Sequence, residues 1–141
     1  MVETPDTVVR RWFKEVWDEG SEEAIDTLMA PFGVAYGLPG GPIQGPQAFK
    51  PLFRMFREAL GDLQIQIERT VVEGDMVAAH CRVSGRHIGN GFGGAPTWRP
   101  VDFWGMTIVR VKGDQIVEGW NSFDFLTMYQ QMGWVPNPPV P

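Results

Sequence analysis

The chain has very little cysteine and histidine, and its basic residues form no tract. Of its 141 residues, one is cysteine and two are histidines. The single cysteine, Cys81, excludes a disulfide framework and a cysteine-based metal site, and it fits a reducing compartment. A net charge of −5 and a pI near 4.9 argue against nucleic acid as a partner, because phosphates require a basic face.

Long apolar stretches are also missing. No run approaches the length of a membrane span, and the first residues, MVETPDTVV, lack the basic-then-apolar pattern of a secretory signal. We therefore expect a cytoplasmic protein with no membrane partner. The length predicts a single domain over residues 1–141.

Aromatic side chains, in contrast, are abundant. The chain contains nine Phe, six Trp and two Tyr. This is more bulky, flat surface than a small core needs, so we expect part of it to line a cavity. The favoured partner is accordingly a small apolar or aromatic ligand.

Capping residues and helix breakers divide the first part of the chain into predicted helices. The first helix begins at Thr4-Pro5 and ends at Gly20, and a second begins after Ser21 and ends at Pro31. A third helix, rich in phenylalanine, follows a glycine- and proline-rich stretch that predicts a short strand and a loop.

After the third helix the apolar period changes from 3.6 to two, which predicts strands. The strand-like runs are LQIQIERTVV, MVAAHCRVSGRH, VDFWGMTIVRV and QIVEGWNSF, and FLTMYQQMGW can form a short helix. Helices followed by an antiparallel meander predict an α+β domain with the helices on one face of the sheet. Such a sheet curls and leaves an open mouth, which is a natural ligand site.

A glycine-rich segment, residues 89–94, satisfies the pattern G-x-G-x-x-G of dinucleotide-binding turns. That pattern binds pyrophosphate only where it leads into a helix, and here it leads into APTWRP. We interpret it as a flexible connection between strands that could form the rim of a pocket.

Two groups of carboxylates and tryptophans are candidates for chemistry. Asp102 and Trp104 share one strand face, and Glu118, Trp120 and Asp124 share another. A carboxylate beside indole rings in a dry cavity would have a raised pKa and could act as a general acid or base. The alternative is that Asp124 caps the tail helix and Glu118 faces solvent.

The two histidines, His80 and His87, lie on opposite faces of a regular strand. A metal site needs three or four convergent ligands, and no such spacing exists here, so we expect no metal. Each histidine alone is more often a hydrogen-bonded structural residue, although a bulge at Gly85 could turn both inward.

Much of the chain resembles one known family. The runs GDMVAAHCRVSGRHIG and RPVDFWGMTIVRVKGDQIVEGWNSFDFLTMYQQMG, with the early helical stripe, resemble the SnoaL-like polyketide cyclases of the NTF2-like superfamily over roughly residues 5–134. The resemblance implies a cone-shaped α+β barrel. In it, N-terminal helices pack on a strongly curved, mostly antiparallel sheet that encloses an apolar pocket. It also implies that no cofactor is used and that a homodimer forms through the outer sheet face.

The resemblance further implies acid/base chemistry on an apolar, polyketide-like substrate, by aldol-type cyclisation or isomerisation. In several members an Asp that looks like the acid/base follows the strand tryptophan, and here that position is Asn121, so Asp124 or Asp102 would have to substitute. We expect Trp120 and Asp124 to face the cavity. The candidate catalytic residues are Asp124, Asn121, Asp102 and His87. The candidate ligand-binding residues are Trp120, Trp104, Tyr36, His80 and Phe103, whereas Phe53 and Phe56 are expected to be plain core.

Two alternative functions remain open. The limonene-epoxide-hydrolase-like branch uses an Asp–Arg–Asp arrangement with a water held by Asp, Tyr and Asn. Counterparts in this chain are Asp102, Arg99, Asp124, Tyr36 and Asn121. The other alternative is a binder of an apolar ligand with no catalysis, which the excess of aromatic surface without a clear catalytic set favours.

Overall fold

The computed structural model describes residues 3–139, which form helices at both ends and a long sheet between them. The helices are α1 (Pro5–Arg11), which continues as a π-helix (Trp12–Asp18), α2 (Glu22–Leu28), α3 (Pro46–Ala59) and α4 (Phe125–Met132). The strands are β1 (Met29–Tyr36), β2 (Ile43–Gln44), β3 (Leu60–Glu73), β4 (Met76–His87), β5 (Pro100–Lys112) and β6 (Gln115–Phe123).

The predicted helix starts are confirmed by their capping contacts. The side chain of Thr4 accepts a hydrogen bond from the backbone N–H of Thr7, and Ser21 accepts one from Ala24. The end of α2 differs from the prediction, because Leu28 is its last residue and the chain enters β1 before it reaches Pro31. The proline therefore lies within a strand and does not itself end the helix.

The π-helix widens the second half of the predicted first helix. The N–H of Glu19 donates to the carbonyl of Lys14 at 2.9 Å, a five-residue step that a regular α-helix does not make. This wider turn accompanies a run in which Trp12, Phe13 and Trp17 are all buried toward the sheet. The helix thus contributes several aromatic rings to one surface.

The strands form a six-stranded sheet in the order β2-β1-β6-β5-β4-β3. All neighbouring pairs are antiparallel except β1 and β6, which are parallel, so the sheet is mostly antiparallel as expected. Register shifts interrupt β3 against β4 and β1 against β6, and such bulges bend a sheet. The α+β fold with a curved, open sheet is therefore confirmed.

The sheet has one apolar face and one solvent-facing face. Along β5, residues from Val101 to Val111 are buried at every second position, and the intervening side chains point away from the core. The helices cover the buried face, and their apolar residues join those of the strands in one core. Among residues 3–139, no helix is both long enough and apolar enough to cross a bilayer.

Candidate ligand pocket between the helices and the sheet

A cavity of about 90 Å³ lies between the helices and the inner face of the sheet. Its helical wall includes Trp12 and Trp17 from the π-helix and Phe49 and Phe56 from α3. Edge-to-face contacts fix these rings, with ring centroids 5.1 Å apart for Trp12–Phe49 and 6.0 Å apart for Trp17–Phe56. Phe56 was expected to be plain core, and it also lines this cavity.

One side of the cavity is open. Most lining residues are buried, but five are only half-buried: Val34, Leu38, Asn121, Phe123 and Phe125. The cavity volume is below the roughly 300–1,000 Å³ of typical small-molecule sites. A larger ligand must therefore place one end inside and extend past these residues, or displace the rings of Phe123 and Phe125.

The cavity wall is almost entirely apolar. Apart from the indole N–H groups, Thr107 and Asn121 are the only residues of the described part of the chain whose side chains bring N–H or oxygen atoms to it. These two residues are cross-strand partners on β5 and β6. Thr107 is only 2% exposed. No Asp, Glu, His, Lys, Arg or Tyr of residues 3–139 lines the cavity.

Asn121 has a fixed orientation. Its Nδ2 donates to the backbone carbonyl of Tyr36 at 2.9 Å, which ties the end of β1 to β6. A carbonyl oxygen can only accept, so the amide nitrogen must face Tyr36 and Oδ1 must face the other way. Gly37 is the residue after Tyr36, and a Cβ atom on Gly37 would lie 2.0 Å from the backbone carbonyl oxygen of Asn121. The chain therefore passes very close to this residue.

Two glycines shape the inner face of the sheet. A Cβ built on Gly119 would meet only Nδ2 of Asn121, at 3.9 Å, so the absence of a side chain there leaves open space in the cavity wall. A Cβ on Gly105 would come within 2.0 Å of the Phe123 ring, which therefore packs directly on the Gly105 backbone. The missing side chain at Gly119 leaves space inside the cavity, and the missing side chain at Gly105 leaves space for the Phe123 ring.

The structure does not place Asp124 in the cavity. Asp124 is exposed and caps α4, with its carboxylate accepting from the backbone N–H of Thr127 at 3.0 Å and from the Thr127 hydroxyl at 2.6 Å. These hydrogen bonds lower the pKa of the Asp124 carboxyl, first through the hydroxyl and then through the backbone. The expectation that Asp124 faces the cavity was therefore wrong. Asp124 caps the tail helix, which was the alternative interpretation of the sequence.

Asp102 lies on the outer face of the sheet. Both of its carboxylate oxygens accept hydrogen bonds from Arg82, at 2.8 and 2.6 Å, and this pairing lowers the pKa of the Asp102 carboxyl. It is therefore an anion at neutral pH and lies away from the cavity. Glu118 pairs with Arg110 at 3.1 Å on the same face, as expected of a surface residue.

Four predicted ligand-binding residues also lie on the outer face. Trp120 stacks on Tyr36 with ring centroids 6.1 Å apart, and His80 stacks on Trp104 at 4.7 Å. Adjacent residues of a strand point to opposite faces, so Asn121 on the inner face requires Trp120 on the outer face. The expectation that Trp120 faces the cavity is corrected for this reason. Phe103, in contrast, lines the cavity.

His87 points inward but does not line the cavity. It is fully buried, and its Nδ1 accepts from the backbone N–H of Thr97 at 3.1 Å. The ring proton must then reside on Nε2, which is buried and has no hydrogen-bond partner among residues 3–139. The His87 ring makes an edge-to-face contact with the Trp134 ring, with centroids 5.2 Å apart. Burial lowers the pKa of His87, so the ring is neutral at pH 7.

The glycine-rich loop packs on the end of α3. The backbone N–H groups of Ile88 and Gly89 donate to the carbonyl of Ala59, at 2.9 and 3.3 Å. Cβ atoms on Gly89 and Gly91 would come within 2.1 Å of backbone oxygens of this helix. No helix follows the loop and it does not line the cavity, so its glycines serve close packing and it has no dinucleotide-binding geometry.

The alternative epoxide-hydrolase set is not assembled in the cavity. Asp102 pairs with Arg82 on the outer face, Asp124 caps α4, and the ring of Tyr36 stacks on the outer face. Of the proposed counterparts only Asn121 lines the cavity. Within the described residues, no three His, Cys, Asp or Glu side chains converge as a metal site would require.

Sequence reasoning missed Thr107 and Gly119. Both lie on the inner face, and both share strand parity with residues that were predicted, since Thr107 is four residues after Phe103 and Gly119 is two before Asn121. The alternation of side chains between the two faces of a strand was the available signal. It could not be used, because the sequence does not say whether the odd-numbered or the even-numbered residues of these strands face the helices.

Known proteins resemble this chain over most of its length. The family model for SnoaL-like polyketide cyclase matches residues 7–132. No curated protein matches the chain in sequence. A candidate SnoaL-like polyketide cyclase from Jannaschia sp. has the same fold, with a TM-score of 0.83 and 22% identity over 94% of this chain and 93% of that chain.

Two further solved structures are more similar in sequence. A candidate polyketide cyclase from Bacillus cereus is 30% identical, with a TM-score of 0.77, over 91% of this chain and 79% of that chain. IdmH, a candidate polyketide cyclase from Streptomyces antibioticus, is 26% identical, with a TM-score of 0.80, over 93% of this chain and 99% of that chain. The chain belongs to the SnoaL-like polyketide cyclase family.

Proposed function

We propose that this protein binds an apolar, polyketide-like molecule in the cavity and promotes its ring closure by an aldol-type reaction. One observation carries the proposal. Within residues 3–139, the aromatic cavity has only two non-indole polar side chains, Thr107 and Asn121, and these are cross-strand neighbours on its inner wall. Relatives described as candidate polyketide cyclases agree with this choice of substrate.

The proposed chemistry relies on confinement and needs no ionisable side chain in the wall. In an aldol closure, an enol carbon forms a bond to a carbonyl carbon, and the enol proton ends on the new hydroxyl oxygen. Atoms therefore balance within one molecule and no co-reactant is consumed. Holding both carbons in contact in a dry site removes most of the entropic barrier, which is worth up to about 7–11 kcal/mol. Hydrogen bonds from the wall would orient the oxygens.

A second candidate is a protein that binds such a ligand without converting it. The specific observation in its favour is the cavity wall itself, which contains no Asp, Glu, His, Lys, Arg or Tyr of residues 3–139. An enzyme that needs a general base would have to recruit one from outside this wall. Binding and turnover must therefore be measured separately.

The test compares wild type with Gly119→Leu. The new side chain would fill the cavity from a position with open space, so it should block the ligand without disturbing the fold. Calorimetry measures binding of aromatic poly-β-ketones, and mass spectrometry with chromatography measures the cyclised product. Lys14→Leu, on the exposed side of the π-helix and away from both faces of the sheet, is the control.

Each outcome has a distinct meaning. Ring closure by wild type and by Lys14→Leu, but not by Gly119→Leu, is the result we expect. If wild type and the control variant bind the ligand but form no product, the non-catalytic candidate is selected. Equal binding or turnover by wild type and Gly119→Leu would refute the cavity as the site.

We also infer that two copies pair through the outer face of the sheet. That face exposes Trp104 (44%), Met106 (53%), Ile108 (45%) and Trp120 (36%), which is a large amount of apolar surface for one sheet. Met106→Glu should convert a dimer into a monomer in sedimentation equilibrium, while Lys14→Glu on the exposed side of the π-helix should not. A monomeric wild type would contradict the inference.

A further inference from the structure

The orientation of Asn121 limits what it can offer a ligand. Both the position and the direction of its amide are set by the bond from Nδ2 to the Tyr36 carbonyl, at 2.9 Å. The remaining atom, Oδ1, has no hydrogen-bond partner among the described residues and can only accept. Oδ1 of Asn121 can therefore accept a hydrogen bond from a ligand hydroxyl, while the second N–H of Nδ2 is not used by the bond to Tyr36.

Thr107 complements this acceptor. The residue is 2% exposed and lines the cavity, and its hydroxyl has no hydrogen bond to any described residue. Its oxygen is not among the fully buried, unpartnered polar atoms of residues 3–139, so it is accessible and free to bond to a ligand. The Thr107 hydroxyl can donate to a carbonyl oxygen of a ligand.

The two groups are close enough to act on neighbouring oxygens of one molecule. Thr107 and Asn121 are directly opposite each other in the antiparallel pair of β5 and β6. Cβ atoms of such partners are about 4.5–5.5 Å apart. Two side chains with that spacing can each reach one of two oxygens separated by three carbon atoms. An isolated ketone or alcohol could satisfy only one of them.

We propose that Thr107 and Asn121 together recognise a 1,3-dioxygenated ligand, with its carbonyl oxygen accepting from Thr107 and its hydroxyl donating to Asn121. The class includes β-hydroxy ketones and enolised 1,3-diketones. This inference rests on the proposed function and deepens it, because an aldol closure creates a hydroxyl in this relation to a carbonyl. The pair would hold the reacting end of the chain while the aromatic wall holds the rest.

Matched small probes can test each half of the pair. The full probe is 4-hydroxy-4-phenylbutan-2-one, which has both oxygens. Removal of the hydroxyl gives 4-phenylbutan-2-one, and removal of the carbonyl gives 1-phenylbutan-1-ol. With one hydrogen bond of about 1 kcal/mol lost in each case, wild type should bind either truncated probe about five- to tenfold more weakly than the full probe in calorimetry.

Two variants then assign the contacts. Thr107→Val keeps the shape of the side chain. This variant should bind the full probe no better than 1-phenylbutan-1-ol, which lacks the carbonyl, and should still bind the full probe better than 4-phenylbutan-2-one, which lacks the hydroxyl. Asn121→Leu should show the reverse pattern. Thr107→Ser restores the hydroxyl and should restore the lost preference. If Asn121→Leu fails to fold without its bond to Tyr36, the Thr107→Val and Thr107→Ser pair still decides the outcome.

The result that would overturn this inference is an unchanged ranking of the three probes in folded Thr107→Val. In that case, a block of binding by Gly119→Leu would leave the proposed function standing, since it shows that the cavity is still the site. If no probe binds wild type, or if Gly119→Leu binds the full probe as wild type does, the proposed function fails as well. The two failures are thus distinguishable.

Discussion

Asn121→Asp is the substitution that most sharply tests the structure around the cavity. The change removes the N–H that donates to the Tyr36 carbonyl and puts a carboxylate oxygen about where Nδ2 lies, 2.9 Å from another acceptor. Leaving one half-buried acceptor without its donor costs about 1–3 kcal/mol, and repulsion between the two oxygens adds to this. When protonated, however, the new carboxyl could donate to the same carbonyl and recover most of the loss.

The expected pH dependence follows from this difference. The folded protein favours the protonated form, so the pKa of the introduced carboxyl is raised above its unfolded value of about 3.9. The unfolded variant then holds fewer protons than the folded one between these two pKa values. The destabilisation relative to wild type is therefore small below the unfolded pKa, grows as the pH rises, and reaches its full value above the folded pKa.

Urea unfolding of wild type and variant at several pH values measures the effect. We expect the difference in unfolding free energy to rise from near zero at about pH 4 to about 1–3 kcal/mol at about pH 8. Asn90→Asp, the same change at an exposed asparagine of the glycine-rich loop, should change stability by less than about 0.5 kcal/mol at every pH. A difference that is the same at all pH values would refute the orientation assigned to Asn121.

The remaining predictions concern residues around the cavity. Asp124→Ala should lower stability by about 1 kcal/mol through loss of the Thr127 cap and leave kcat unchanged, and a lost kcat at normal stability would restore Asp124 as a catalytic candidate. The pKa of His87 is lower in the folded protein than in the unfolded chain, where it is about 6.5. Wild-type stability therefore falls as the pH drops from about 6.5 toward the pKa of the folded protein. His87→Gln should weaken that fall in urea unfolding, and an identical slope in both proteins would contradict a buried neutral ring. Gly105→Ala should displace the Phe123 ring and destabilise the protein by about 1–3 kcal/mol, whereas no change in melting temperature would show that the ring can yield.

Local sequence patterns were sufficient for the general architecture. The caps at Thr4 and Ser21 and the change of period from 3.6 to two predicted helices followed by strands, and the structure confirms both. Such features depend on residues near one another in the chain. The parallel pairing of β1 with β6 joins segments about 85 residues apart, as the Asn121–Tyr36 bond shows, and no local pattern predicts it.

The candidate site was harder to predict for a specific reason. Alternation along β6 separates Trp120 from Asn121 but does not say which one faces the helices. Tryptophan suggested an inner position because it is large and apolar, yet the outer face of this sheet exposes several such side chains. Asp124 presented a related difficulty, since a carboxylate that ends a strand is also a good first residue for the next helix.

The most direct test of the central claim is a crystal structure of the wild-type protein with 4-hydroxy-4-phenylbutan-2-one. We predict that the phenyl ring lies against Trp12 and Trp17 and that the two oxygens lie within hydrogen-bonding distance of Thr107 and Asn121. A probe bound only on the outer face, against Trp104 or Trp120, would contradict the account.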